Sequence, residues 1–231
     1  ARDRRANREL RQIQVEATRI EKAGYKHVMA EEIAEQPIVL ADAIKHYCRG
    51  GQINLPEALD FSTLDRLTLV ACGTANYACL TAKYWFESLA GLPCEVDIAS
   101  EFRYREPPIP ENSYAVFVSQ SGETADTLAA LRYAEGKAAK IISIVNVPTS
   151  SIARESDIAL PILAGVEVGV ASTKAFTCQL SVLLLLALKA GQDRGRIDEE
   201  TLAGHLKTFA ALPGLMNQAL TREASIAVMA A

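Results

Sequence analysis

The chain has 231 residues, of which 49% are hydrophobic and only 6% aromatic; that suffices for one large domain, or one domain with appendages, around an aliphatic core. The formal net charge of −4 speaks against a surface built for nucleic acid or membrane and leaves any bound phosphate to be held by local geometry. Five cysteines without a CxxC pair point to reduced, mostly buried thiols in a cytoplasmic protein, and His27, His46 and His205 are too scattered for a metal site.

Residues 1–24 are highly charged and read either as a marginal helix or as a disordered segment. The stretch HVMAEEIAEQPIVLADAIKHY (27–47) has helical apolar spacing. Pro37 is expected to break it into two helices. Strand and helix then alternate. RLTLVACG (66–73) reads as a strand, TANYACLTAKYWFESLAG (74–91) as a helix stopped by Gly91 and Pro93, and CEVDIAS as a short strand. YAVFVSQ (114–120) is predicted as a strand, ETADTLAALRYAEGK as a helix, AKIISIVN (139–146) as a strand, SSIARESD as a short helix and IALPIL as a strand. STKAFTCQLSVLLLLALKA forms a long helix; its apolar run Leu180–Ala190 is too short to span a bilayer and reads as buried. After Ile197 the tail is helical, with Pro213 and Gly214 expected to interrupt it. This β-then-α order predicts an α/β fold, a parallel sheet covered by helices on both faces.

In such sheets ligands bind beyond the carboxyl ends of the strands, so the turns after the strands carry the functional signal. ACGTAN places Gly73 and Thr74 at a helix start, where Thr74 is suited to cap the helix. In SQSGETADT, Ser119, Ser121 and Thr124 surround Gly122 immediately before a helix. A cap needs one hydroxyl; three hydroxyls about a glycine, with free helix amides and the positive end of the dipole, make a cradle for an anion that needs no lysine. In GVEVGVASTKAFT, Ser172 is the predicted N-cap of the long helix. Lys174, at the end of a helix that disfavours cations, suggests an acidic partner or an anion.

These motifs resemble a known family. CGTANYACLTAKYWFESLAGLPCEVDIASEFRYRE, SQSGETADTLAALR and GVASTKAFTCQL are similar to the first sugar isomerase (SIS) domain of the glucosamine-6-phosphate synthases, and YKHVMAEEIAEQP to the segment before it. The resemblance runs from Tyr25 to about Ala190. It implies a three-layer α/β/α sandwich with a five-stranded parallel, flavodoxin-like sheet and helical N- and C-terminal extensions. It divides the chain into an interdomain linker (1–24), a helical lead-in (25–60), the SIS domain (61–191) and a helical connector (192–231) toward a second SIS domain. Carried over by motif, Ser119, Gln120, Ser121 and Thr124, with Thr74, hold the phosphate of fructose 6-phosphate or glucosamine 6-phosphate; Val170, through its backbone, and Ser172 touch the sugar. The family makes glucosamine 6-phosphate from fructose 6-phosphate and glutamine. The resemblance gives this chain the phosphate clamp, with no catalytic residue, no cofactor and no metal. A domain from such a tandem pair would expose the face its other half covers, so a homodimer is expected, with a second copy in that half's place.

Ala75 and Asn76 stand where members of the family commonly carry Ser and another residue, so hydrogen bonding beside Thr74 is expected to be weaker. Two other functions use the same fold. A sugar-phosphate sensor would need a DNA-binding helical domain, for which residues 1–24 are too short. A phosphosugar isomerase or deaminase would need a base, for which Glu123 and Glu167 are the nearby candidates.

Overall fold

The computed structural model describes residues 24–230; the expectations for residues 1–23 lie outside them. At its centre is a five-stranded sheet of β3 (Arg66–Ala71), β4 (Cys94–Ile98), β5 (Ser113–Ser119), β6 (Lys140–Val145) and β7 (Ile158–Pro161). The order is β4-β3-β5-β6-β7, and every pair is parallel. The first strand of this sheet sits inside it, so the chain winds outward in both directions from the β3/β5 boundary. There the helices that follow adjacent strands leave on opposite faces and open a crevice.

The pleat explains the two cores. Successive strand side chains point to opposite faces. Leu67, Leu69 and Ala71, Tyr114, Val116 and Val118, and Ile142 and Ile144 join the larger core. Val70, Ala115 and Phe117, and Ile141 and Val145 join the smaller one. β5 is buried at every position, which is why its sequence reads as a continuous apolar run rather than an alternation.

The larger core is covered by α1 (Val28–Tyr47), α2 (Gly73–Ala90), α6 (Lys174–Asp193) and α7 (Glu199–Leu220). The smaller one lies under α3 (Ala99–Arg105), α4 (Ala125–Ala134) and α5 (Ser151–Glu155). By length and composition α6 could cross a bilayer, but 67% of its apolar window is buried here. Its middle is apolar because sheet and helices pack against it. A short hairpin, β1 (Cys48–Arg49) with β2 (Gln52–Ile53), and the terminal α8 (Glu223–Ala230) complete the fold.

Two helix boundaries differ from expectation. α1 runs unbroken through Pro37. Proline there leaves the carbonyl of Ile33 without its usual N–H, and the side-chain amide of Gln36 donates to that oxygen instead, at 3.3 Å. α7 likewise continues through Pro213. Leu212 and Met216 on either side of it pack against the larger core, so burial holds the helix where local propensity would end it. Two elements have no counterpart in the sequence reading: α3, over the polar stretch ASEFRYR, and the β1–β2 hairpin.

Candidate functional site

The loops after β3, β5 and β7 meet in one cleft of about 180 Å³ at the β3/β5 crevice. That is room for roughly six waters at ~30 Å³ each. Of the residues singled out in the sequence, Thr74, Ser119, Gln120, Ser121, Thr124 and Ser172 line it. Val170 does not: it stands on the outer part of the β7–α6 loop with its side chain fully exposed.

The hydroxyls converge. Ser119 Oγ lies 2.9 Å from Thr124 Oγ1, and either oxygen can be the donor. Ser119 Oγ also accepts from the Gly122 amide at 3.0 Å, and Ser121 Oγ accepts from the Glu123 amide at 3.2 Å. Gly122 has φ +67°, and a Cβ there would collide with the side chain of Ser150. Only glycine fits both the left-handed backbone and the close approach.

Three hydrogen bonds fasten this turn to the neighbouring β6–α5 segment. The Asn146 amide donates to Gln120 O at 3.1 Å and the Ile152 amide to Gly122 O at 3.1 Å. The Ser151 amide donates to Glu123 Oε1 at 2.7 Å. That last bond holds the Glu123 carboxyl below its ordinary pKa.

The capping roles are not those read from the sequence. Neither α2 nor α4 has a side-chain cap. Thr124 is the N-cap residue of α4, but its hydroxyl faces Ser119. Thr74 lies inside the first turn of α2. Ser172 is not the cap of α6 either; Thr173 holds that position without a side-chain bond. Glu167 takes over the task, its Oε1 accepting from the Thr173 amide at 2.9 Å and the Ala175 amide at 3.1 Å. Glu123 and Glu167 are thus both engaged as caps, and neither is placed as a free base. Lys174 has the acidic partner its sequence position suggested: it is buried and paired with Glu35 of α1.

Among the described residues, the cleft presents uncapped helix N-termini from α2 and α4, a joined pair of hydroxyls and no lysine or arginine. Unpaired amides and the dipole ends favour an anion. Sequence reasoning missed Thr127 and Gln179. Both line the cleft, and Thr127 Oγ1 and Gln179 Oε1 are buried without a hydrogen-bond partner. The available signal was an amide, Gln179, directly before the apolar run of α6 and one turn from its start. Ala75 also lines the cleft and leaves that part of the wall without a polar side chain.

The order of strands defines a flavodoxin-like α/β domain, and its polar cleft lies where such folds place their ligands, outside the carboxyl ends of the strands at the switch point. The chain belongs to the SIS domain family, whose model matches residues 61–189. A glutamine–fructose-6-phosphate aminotransferase (isomerizing) of Bradyrhizobium diazoefficiens is 53% identical over 220 residues, 94% of this chain and 36% of that protein. One from Brucella melitensis is 51% identical over 213 residues, 91% of this chain and 35% of the relative. The chain thus spans about a third of the length of the curated relatives it matches. Among solved structures, the C-terminal domain of the Francisella tularensis glucosamine-fructose-6-phosphate aminotransferase superposes with a TM-score of 0.86 at 41% identity, covering 89% of this chain and 59% of that one. A glucosamine-6-phosphate deaminase of Thermotoga maritima shares the fold at a TM-score of 0.63 and 24% identity, over 81% of this chain and 53% of the other.

Proposed function

We propose that the chain is the sugar-phosphate-binding SIS domain of a glutamine–fructose-6-phosphate aminotransferase. In this reading the cleft holds the phosphate of fructose 6-phosphate or glucosamine 6-phosphate, with Ser119, Gln120, Ser121, Thr124 and Thr74 around the phosphate and Ser172 and the Val170 backbone toward the sugar. The observation that carries it is the convergence of Ser119 and Thr124 at 2.9 Å over the uncapped start of α4. An anion placed there meets hydroxyls and amides already oriented, so little ordering is left to be done on binding. The names of the relatives supply the sugar.

Anchoring is the contribution to the reaction. A phosphate fixed at one end places the carbon chain at a set distance from groups that act on it, and such positioning lowers a barrier without proton transfer by this domain. With Glu123 and Glu167 occupied as caps, the isolated chain catalyses no amination or isomerisation. Five free thiols suit a reducing cytoplasm. Tyr77, Leu80 and Tyr84, exposed along one stripe of α2, suit a homodimer.

A thermal-shift titration with fructose 6-phosphate beside free fructose tests the reading. The expected result is stabilisation by the phosphorylated sugar only, lost in Ser121→Ala. An equal response to both sugars, or none to either, overturns it. Light scattering tests the homodimer, and a monomer mass at micromolar concentration would remove it.

A further inference from the structure

We infer that Glu32, on the helix that precedes the SIS domain, is a positioning residue for the sugar side of the cleft. The inference rests on the sugar-phosphate reading above. α1 contributes no side chain to the cleft, yet it holds the β7–α6 loop that carries Ser172. Glu32 is 2% exposed. Its Oε1 accepts from the Val168 amide at 2.6 Å and the Gly169 amide at 2.9 Å. Its Oε2 is buried without a partner, and a Cβ on residue 169 would run into that oxygen. A glycine and a buried carboxyl therefore fit each other across 137 residues of sequence.

Two further contacts on the same face of α1 reinforce the grip. Glu35 pairs with Lys174, and Gln36 Oε1 accepts from Thr177 Oγ1 at 2.6 Å. Glu32, Glu35 and Gln36 are spaced i, i+3, i+4, so they form one helical stripe. That stripe meets the loop at Val168 and Gly169 and the first turn of α6 at Lys174 and Thr177.

The two walls of the cleft share one fastening and differ in another. The Ser119–Thr124 turn is tied to β6–α5. The loop bearing Ser172 is tied to the same segment at its start, where the Asn146 side chain bonds Ala164 and Gly165, and its outer part, Val168 and Gly169, is held by α1. A displacement of α1 therefore reaches the sugar wall first. Whatever acts on the chain ahead of Val28 has a mechanical route to the sugar wall through this stripe.

The test uses the full chain in four forms: wild type, Glu32→Ala, Glu32→Gln and Gly169→Ala. Amide hydrogen exchange is read at Val168 and Gly169, and calorimetry compares fructose 6-phosphate with inorganic phosphate. Glu32→Ala is expected to speed exchange at the two amides and to weaken fructose 6-phosphate about tenfold, with inorganic phosphate unchanged. Glu32→Gln, which keeps an acceptor oxygen, restores most of both. Gly169→Ala reproduces the loss and stands in if Glu32→Ala does not fold. Unchanged exchange in Glu32→Ala and Gly169→Ala, or equal weakening of both ligands, overturns the inference. If the wild type binds no fructose 6-phosphate, the sugar-phosphate reading falls, and exchange at Val168 and Gly169 alone decides whether Glu32 holds the loop.

Discussion

Replacing Gly122 with alanine tests the geometry of the hydroxyl turn most directly. Residue 122 has φ +67°, and a non-glycine residue held there costs about 1 kcal/mol. The added methyl would also overlap the Ser150 side chain, which is buried and caps α5 by accepting from the Ala153 amide at 3.4 Å. Overpacking of a closed site adds ~1–3 kcal/mol, and a disturbed cap adds about 1 kcal/mol. The sum is about 3–5 kcal/mol, or a fall in Tm of about 6–20 °C for a chain of this size. Gly136→Ala is the control, because φ there is +71° with nothing within 4 Å of a Cβ. It should cost only the backbone part, about 1 kcal/mol. Urea unfolding followed by the fluorescence of Trp85, the single tryptophan, which packs against the larger core, measures both. Equal losses in the two variants would refute the claim that Ser150 closes the space behind the turn.

The remaining predictions are independent of one another. Burial pushes the Cys94 and Cys178 thiols up to about 12 and raises Cys79 as well. Burial raises Cys48 too, but only Cys48 and Cys72 are partly exposed, so labelling of the native protein at about pH 8 should reach these two alone, Cys48 slowly, and fructose 6-phosphate should protect Cys72, which lines the cleft. Modification of Cys178 before unfolding would contradict this. Glu123 has a lowered folded-state pKa because of the Ser151 amide. Such a group stabilises the fold above its unfolded pKa and loses that contribution as pH falls through the folded value. Wild type should thus exceed Glu123→Gln in stability at neutral pH, with the gap closing below about pH 4; a gap that widens on acidification would refute the assignment. Gln36→Ala removes the donor to Ile33 O and the acceptor for Thr177 Oγ1. It should lower stability by about 2 kcal/mol, and an unchanged urea midpoint would show that α1 tolerates Pro37 without help.

The legibility of the chain followed the range of the forces involved. β3, β5 and β6 were visible because a strand buried on both faces leaves an apolar run in its own residues. The Ser119–Thr124 turn was visible because its glycine and hydroxyls lie within six positions of one another. Pro37 and Pro213 misled because the proline rule is local; Gln36 and the packing of Leu212 and Met216 override it. Ser172 was read as a cap because it stands beside the start of α6, whereas the acceptor that serves those amides is Glu167, placed there by the path of the loop. The grip of Glu32 on Gly169 joins residues so distant in sequence that no periodicity or spacing could report it. α3 was overlooked because SEFRYR shows no strong apolar stripe of its own, and Phe102 alone carries most of its burial.

The paired oxygens of Ser119 and Thr124 have one more consequence. Because either can be the donor, the proton between them can reverse direction. A phosphate monoester changes from one to two negative charges near pH 6, and in its singly charged form it carries an O–H that needs an acceptor. A hydroxyl pair offers a donor to one form and a lone pair to the other, whereas an ammonium group could only donate. If the cleft holds a sugar phosphate as proposed, a seat built this way accepts it on either side of that titration.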